Sequence, residues 1–143
     1  MAAQRFRTAA DGDIDRNKTI RFSFDGKIYE GCDGDTLASA LMANGVRVLG
    51  RSFKYHRPRG LFAMGPEEPN ALVTVRQGAR REPNIPATMV EIFDGLVAES
   101  QNHWPSLGFD LTRVNDLLSS VLVSGFYYKT FMWPASFWEP VYE

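Results

Sequence analysis

An Asp25-Gly26 pair stands between two runs of alternating residues, and it limits the fold of this chain more than any other feature. Before it, Ile20, Phe22 and Phe24 alternate with Arg21 and Ser23; after it comes Lys27-Ile28-Tyr29-Glu30. A two-residue turn between strands needs positive φ at its centre, which Asp and Gly tolerate, so the segment predicts a β-hairpin. Its apolar face must then be covered by a later part of the chain.

The next residues are Asp33-Gly34-Asp35-Thr36, then Leu37, Ala38, Ala40, Leu41 and Met42 at helical spacing, then Asn44-Gly45. Asp35 is the expected N-cap and Gly45 the left-handed stop. Past a basic loop, Leu72-Val73-Thr74-Val75 predicts a strand, Gln77-Gly78 a turn, and Thr88-Met89-Val90-Glu91-Ile92 a closing strand. Hairpin, helix, loop and further strands are the order of an α+β β-grasp domain, a mixed sheet with one face against a single packed helix. The expected domain runs over residues 19–95, with Ile20, Phe22, Leu37, Leu41, Val73 and Val75 in its core. Residues 1–18 mix small and charged types without a period and are expected to be a flexible arm.

Beyond Gly95 the character changes. Residues 96–143 predict a helical and irregular extension in which Asp110 caps a helix with Val114, Leu117, Leu118, Val121 and Leu122 on one face. Ten of the 18 aromatic residues lie between Trp104 and Tyr142, more than a small domain with its own core can bury. They are expected to dock on another surface and, without it, to be wholly or partly disordered. The sequence stops at Trp138-Glu139-Pro140-Val141-Tyr142-Glu143 with no polar tail, as expected of a piece of a longer chain.

Charge and cysteine usage exclude several classes. Sixteen basic against 17 acidic residues give a net charge of -1, so no global field draws the chain to nucleic acid or an anionic membrane. The single cysteine, Cys32, forms no internal disulfide and fits a reducing, cytoplasmic setting, where it acts as a small partly buried hydrophobe. No apolar run approaches the ~20 residues that span a bilayer.

The chemistry-bearing candidates are few. Arg51, Lys54, His56, Arg57 and Arg59 fall within one short segment, and guanidinium forks there suit an anionic group such as a flavin phosphate. The plainer reading packs Phe53, Tyr55 and Pro58 and pairs the charges with carboxylates such as Glu67 and Glu68. His56 and His103 have no nucleophile arranged beside them, and Glu67-Glu68, as neighbours before Pro69, point apart rather than forming a catalytic pair. No residue is expected to be catalytic.

The segment Gly50-Arg51-Ser52-Phe53-Lys54-Tyr55-His56-Arg57-Pro58-Arg59-Gly60 resembles the N-terminal region of sarcosine oxidase alpha subunits. The likeness extends to Asp33 through Leu41, Glu67 through Val73, Ser100 through Leu107, and the Tyr128-Lys129-Thr130-Phe131-Met132-Trp133-Pro134 segment. In related amine and opine oxidases the corresponding domain is a [2Fe–2S] ferredoxin-like β-grasp unit with thiolates at C-x4-C-x2-C and a fourth further on. By that resemblance the ligand positions fall on Ala63, Glu68, Ala71 and approximately Asn84, none a cysteine. The expectation is therefore a cluster-less domain with no metal and no cofactor of its own.

The same resemblance implies the rest of the enzyme. The alpha subunit would continue into downstream domains for NAD and tetrahydrofolate, and indeed no G-x-G-x-x-G fingerprint occurs here. FAD would lie in the beta subunit and FMN near the subunit interface, with gamma and delta subunits completing a heterotetramer. The implied reaction oxidises sarcosine to an imine at a flavin, passes electrons to oxygen, and moves the one-carbon unit to tetrahydrofolate, leaving glycine and hydrogen peroxide. Two alternatives stand beside it: a free-standing β-grasp interaction module, and a domain of a related amine or opine dehydrogenase.

Overall fold

The computed structural model describes residues 4–8 and 14–119. Two strands, β1 (Asp15–Phe24) and β2 (Lys27–Asp33), form the hairpin, with Phe24 opposite Lys27. Asp25 and Gly26 have φ of 50° and 75°, the two positive values that a twisted two-residue turn requires. The turn is also anchored from outside, because the Asp25 carboxylate accepts hydrogen bonds from the Ser100 backbone N–H at 2.7 Å and the Ser100 hydroxyl at 2.6 Å.

The helix α1 (Leu37–Ala43) comes next. Thr36, not Asp35, is its N-cap: Thr36 is extended at φ -80° and ψ 159°, and its hydroxyl accepts from Ser39 N–H at 3.2 Å. Asp35 sits one residue too early to cap and turns inward, where its carboxylate accepts from Cys32 N–H and the Ser39 hydroxyl, both at 2.8 Å, and receives the Arg7 guanidinium. The helix ends as expected. Gly45 has φ of 81°, its N–H donates to Met42 O, and Val46 N–H donates to Leu41 O, which is a Schellman closure.

Past a two-stranded ribbon of β3 (Gly50–Arg51) and β4 (Pro58–Arg59), the chain forms β5 (Leu72–Gln77) and β6 (Arg80–Pro86) and later β7 (Val97–Ser100). The five-stranded sheet has the order β2-β1-β7-β5-β6 and is mixed, with only β1 and β7 parallel. This is the α+β β-grasp arrangement. Ile20, Phe22 and Phe24 of β1, Val73 and Val75 of β5 and Ala98 of β7 share a face and meet Leu37, Ala38, Ala40 and Leu41 in one buried core. Burying a side chain such as Phe or Leu contributes roughly 1.5–3 kcal/mol, which makes this face the main source of stability.

One expected strand is absent. Ala87–Met89 is a single 3-10 turn rather than part of a closing strand, and Glu91 makes only an isolated bridge to Thr36. Val90 O and Ile92 N–H are used by Leu37 and Asp35, so this segment closes the start of α1 instead of the sheet. The strand in the middle of the sheet is β7, which lies past residue 95. At the other end, β1 begins at Asp15, and residues 4–8 pack on the domain: Phe6 N–H donates to Ala43 O, and Gln4 Nε2 to Glu30 O.

After β7, Asp110 caps a 3-10 turn (Leu111–Arg113) that runs into a single helical turn, α2 (Val114–Leu117). Val114, Leu117 and Leu118 are exposed there. Val121, Leu122 and the aromatic run from Phe126 onward lie outside the described residues.

Candidate functional site

Two adjoining parts of the chain carry the polar chemistry: the basic β3–β4 ribbon and the loop between β4 and β5. In the ribbon, Ser52 holds the turn, donating N–H to Arg57 O at 2.9 Å and accepting Arg57 N–H on its hydroxyl at 3.0 Å. His56 takes φ of 54° in this turn.

Arg51 is 7 % exposed and fully committed. Its Nε and Nη2 donate to Leu107 O at 3.0 and 2.8 Å, and its Nη1 to His56 O at 2.7 Å. Asp110 Oδ2 lies 3.4 Å from Arg51 Nε and 3.1 Å from His56 Nδ1, so a buried carboxylate faces two cationic or potentially cationic groups. Thr112 Oγ1 and Asn102 O also lie within 2.9 Å of His56 Nδ1. Burial alone would raise the pKa of Asp110; hydrogen bonds from the Thr112 hydroxyl and from Trp104 and Thr112 N–H, with His56 nearby, outweigh it and hold the carboxyl below its ordinary value.

The other basic residues stay at the surface. Arg57 donates to Asp116 at 2.7 Å and lies over the Tyr55 ring, as does Lys54 from 5.2 Å, while the Arg59 side chain is exposed. The carboxylates that meet this segment are thus Asp110 and Asp116, and not Glu67 or Glu68. Phe53, expected to pack, is 85 % exposed, and Pro58 is exposed too. His103 Nδ1 is buried with no hydrogen-bond partner among the described residues.

The loop 61–71 is organised around Glu68, which is 2 % exposed. Its Oε2 accepts from Phe62 and Ala63 N–H at 2.7 and 2.6 Å, and its Oε1 from Asn70 and Ala71 N–H at 2.7 and 3.0 Å. Burial opposes the charged form, yet four converging N–H groups outweigh it and hold the carboxyl below its ordinary value of 4.5. Glu67 points outward, so the two neighbours diverge as expected. Asn84 is elsewhere: it lies at the irregularity of the β5–β6 pairing, with φ of 61°, and borders an open hollow with Asp25, Ser100 and His103.

Sequence reasoning missed the two buried acids, Glu68 and Asp110, as centres of these networks. No local signal separated Glu68 from its neighbour Glu67. For Asp110 the predicted capping role was visible and is present, but its pairing with Arg51 was not.

A mixed sheet of this order, with α1 packed on one face, defines a ferredoxin-like domain, and the chain belongs to the family described as 2Fe-2S iron-sulfur cluster binding domain, matched over residues 17–103. The chain is similar to sarcosine oxidase subunit alpha of Rhizobium meliloti (strain 1021), 59% identical over 96% of this chain and 14% of that protein. It is also similar to sarcosine oxidase subunit alpha of Corynebacterium sp. (strain U-96), 47% identical over 59% of this chain and 9% of that protein. The expected resemblance to sarcosine oxidase alpha subunits therefore holds, and the chain spans a small fraction of the length of these relatives. Among solved structures, L-proline dehydrogenase from P. horikoshii matches at a TM-score of 0.50 and 29% identity, over 64% of this chain and 17% of that one.

The family's cluster does not fit the residues present. A [2Fe–2S] centre takes about four thiolate ligands, or two with two histidines. The one cysteine, Cys32, is buried in β2 with its thiol toward Gln4. Among the described residues no group of three or more His, Cys, Asp or Glu side chains is placed to hold a metal ion.

Proposed function

We propose that this chain is a non-catalytic structural and docking unit of a sarcosine oxidase alpha subunit. The enzyme so built oxidatively demethylates sarcosine to glycine, transfers the one-carbon unit to tetrahydrofolate and produces hydrogen peroxide. The observation that carries this reading is 59% identity, across 96% of the chain, to a protein of that name. Its non-redox part is supported by Glu68, whose carboxylate fills the loop, and by the absence of thiolates there.

On this reading NAD and tetrahydrofolate bind to downstream domains of the alpha subunit, FAD to the beta subunit and FMN near the subunit interface, with gamma and delta subunits completing the heterotetramer. The β-grasp unit acts as a rigid body and the segment after it as the connection to the next domain. By the family resemblance Ala63, Glu68 and Ala71 stand at three of the ligand positions, while Asn84, expected near the fourth, lies at the β5–β6 irregularity instead. The basic ribbon serves mainly to fix that connection, since Arg51 and Arg57 are spent on Leu107, Asp110 and Asp116. Lys54 and Arg59 remain the residues through which an anionic group or a partner carboxylate would be met.

A second reading, a domain of an amine dehydrogenase acting on another secondary amine, is favoured by the likeness to L-proline dehydrogenase. Oxygen uptake and product analysis on the assembled enzyme separate the two. Sarcosine consumed with equal amounts of glycine and peroxide supports the first reading; preference for L-proline, with no peroxide, overturns it.

A further inference from the structure

Four backbone N–H groups of one short loop converge on the Glu68 carboxylate, two on each oxygen. Converging N–H dipoles form a concave patch of positive potential that favours an anion at its centre. The flanking side chains at the centre are small, Ala63 and Ala71, and Ala71 is buried. The loop is also held from outside: Thr88 Oγ1 donates to Gly65 O at 2.7 Å, and Ala87 N–H to Ala71 O at 2.9 Å. Neither tie involves Glu68, so the loop has supports that outlast removal of that side chain.

We infer that residues 61–71 form an anion cradle filled in cis by Glu68, the chain's own carboxylate standing where the family holds a metal cluster, and that the emptied cradle takes a small monocarboxylate from solution. The geometry sets the ligand class. A planar carboxylate places two oxygens to accept two N–H groups each, whereas chloride offers one centre and phosphate brings more oxygens and charge than this buried space satisfies.

The test is a Glu68→Ala variant of the full chain, melted at pH 7 with sodium formate or acetate against sodium chloride at equal ionic strength. The variant is expected to lose about 10 °C in Tm, because buried N–H groups are left without an acceptor. Formate is expected to restore several degrees of it saturably, to leave the wild-type chain unchanged, and to shift the amide resonances of Phe62, Ala63, Asn70 and Ala71. An unchanged Tm in the variant, or equal responses to formate and chloride, overturns the inference. If Glu68→Ala does not fold, Glu68→Gln decides: its amide presents one acceptor oxygen and an NH2 group to the same four donors, so a lowered Tm is expected, and a wild-type Tm overturns the inference.

Discussion

Arg51 donates two hydrogen bonds to a single acceptor, the carbonyl oxygen of Leu107, at 3.0 and 2.8 Å. This joins the β3–β4 ribbon to a residue beyond the family's matched span of 17–103 and fixes the path of the chain as it leaves the sheet. Because Asp110 is buried beside the same guanidinium, Arg51→Ala leaves Asp110 Oδ2 with His56 alone beside it, and breaking a buried pair from one side costs about 3–5 kcal/mol. Urea unfolding is expected to show a loss of that order. Amide exchange across residues 104–112 should accelerate more than in the sheet.

Three carboxylates, Asp35, Glu68 and Asp110, are held below their ordinary values although burial alone would raise them. A carboxyl with a lowered folded pKa binds its proton less readily in the folded than in the unfolded state. Its contribution is therefore full above the unfolded value and is lost as pH falls through the folded one. Stability is expected to be flat from pH 7 to about 5 and to fall below about pH 4.5. Glu68→Gln should flatten that acid limb in a pH series of urea midpoints; an identical slope in variant and wild type would show that Glu68 does not contribute.

Gly60 and Gly108 offer a paired test of close approach. A Cβ on Gly60 would lie 2.5 Å from the backbone oxygen of Arg47, whereas one on Gly108 would meet nothing within 4 Å. Gly60→Ala is expected to cost about 1–3 kcal/mol because backbone must shift, and Gly108→Ala to be neutral within about 0.5 kcal/mol. Thermal melts of the two variants check this directly.

The start of α1 separates two roles that the sequence merges. Thr36→Ala removes one cap bond and is expected to cost about 1 kcal/mol. Asp35→Ala removes acceptors from Cys32 N–H, the Ser39 hydroxyl and Arg7 together, and is expected to cost about 3 kcal/mol. Equal losses would restore Asp35 as the ordinary cap.

Local features were legible because their signals are local. Asp25-Gly26 needs only its own two φ angles, and Gly45 only the preceding helical turn. The sheet's middle strand was not: Val97–Ser100 is four residues long and is defined by partners in β1 and β5, far away in sequence. Thr88–Ile92 carries more β-branched residues, yet its backbone groups are taken by the start of α1. The same limit applied to the basic segment. Glu67 and Glu68 are nearest along the chain, but folding brings Asp110 and Asp116 to Arg51 and Arg57 instead. Glu68's own role depends on four donors whose directions no spacing rule reveals.

The most direct test of the central claim, that a carboxylate and not a metal cluster organises the loop, is an iron and acid-labile sulfide assay with a visible spectrum on the purified chain, prepared anaerobically. The expected result is no stoichiometric iron or sulfide and no visible absorption, with the loop intact around Glu68. About two irons and two sulfides per chain, with the matching visible bands, would contradict it.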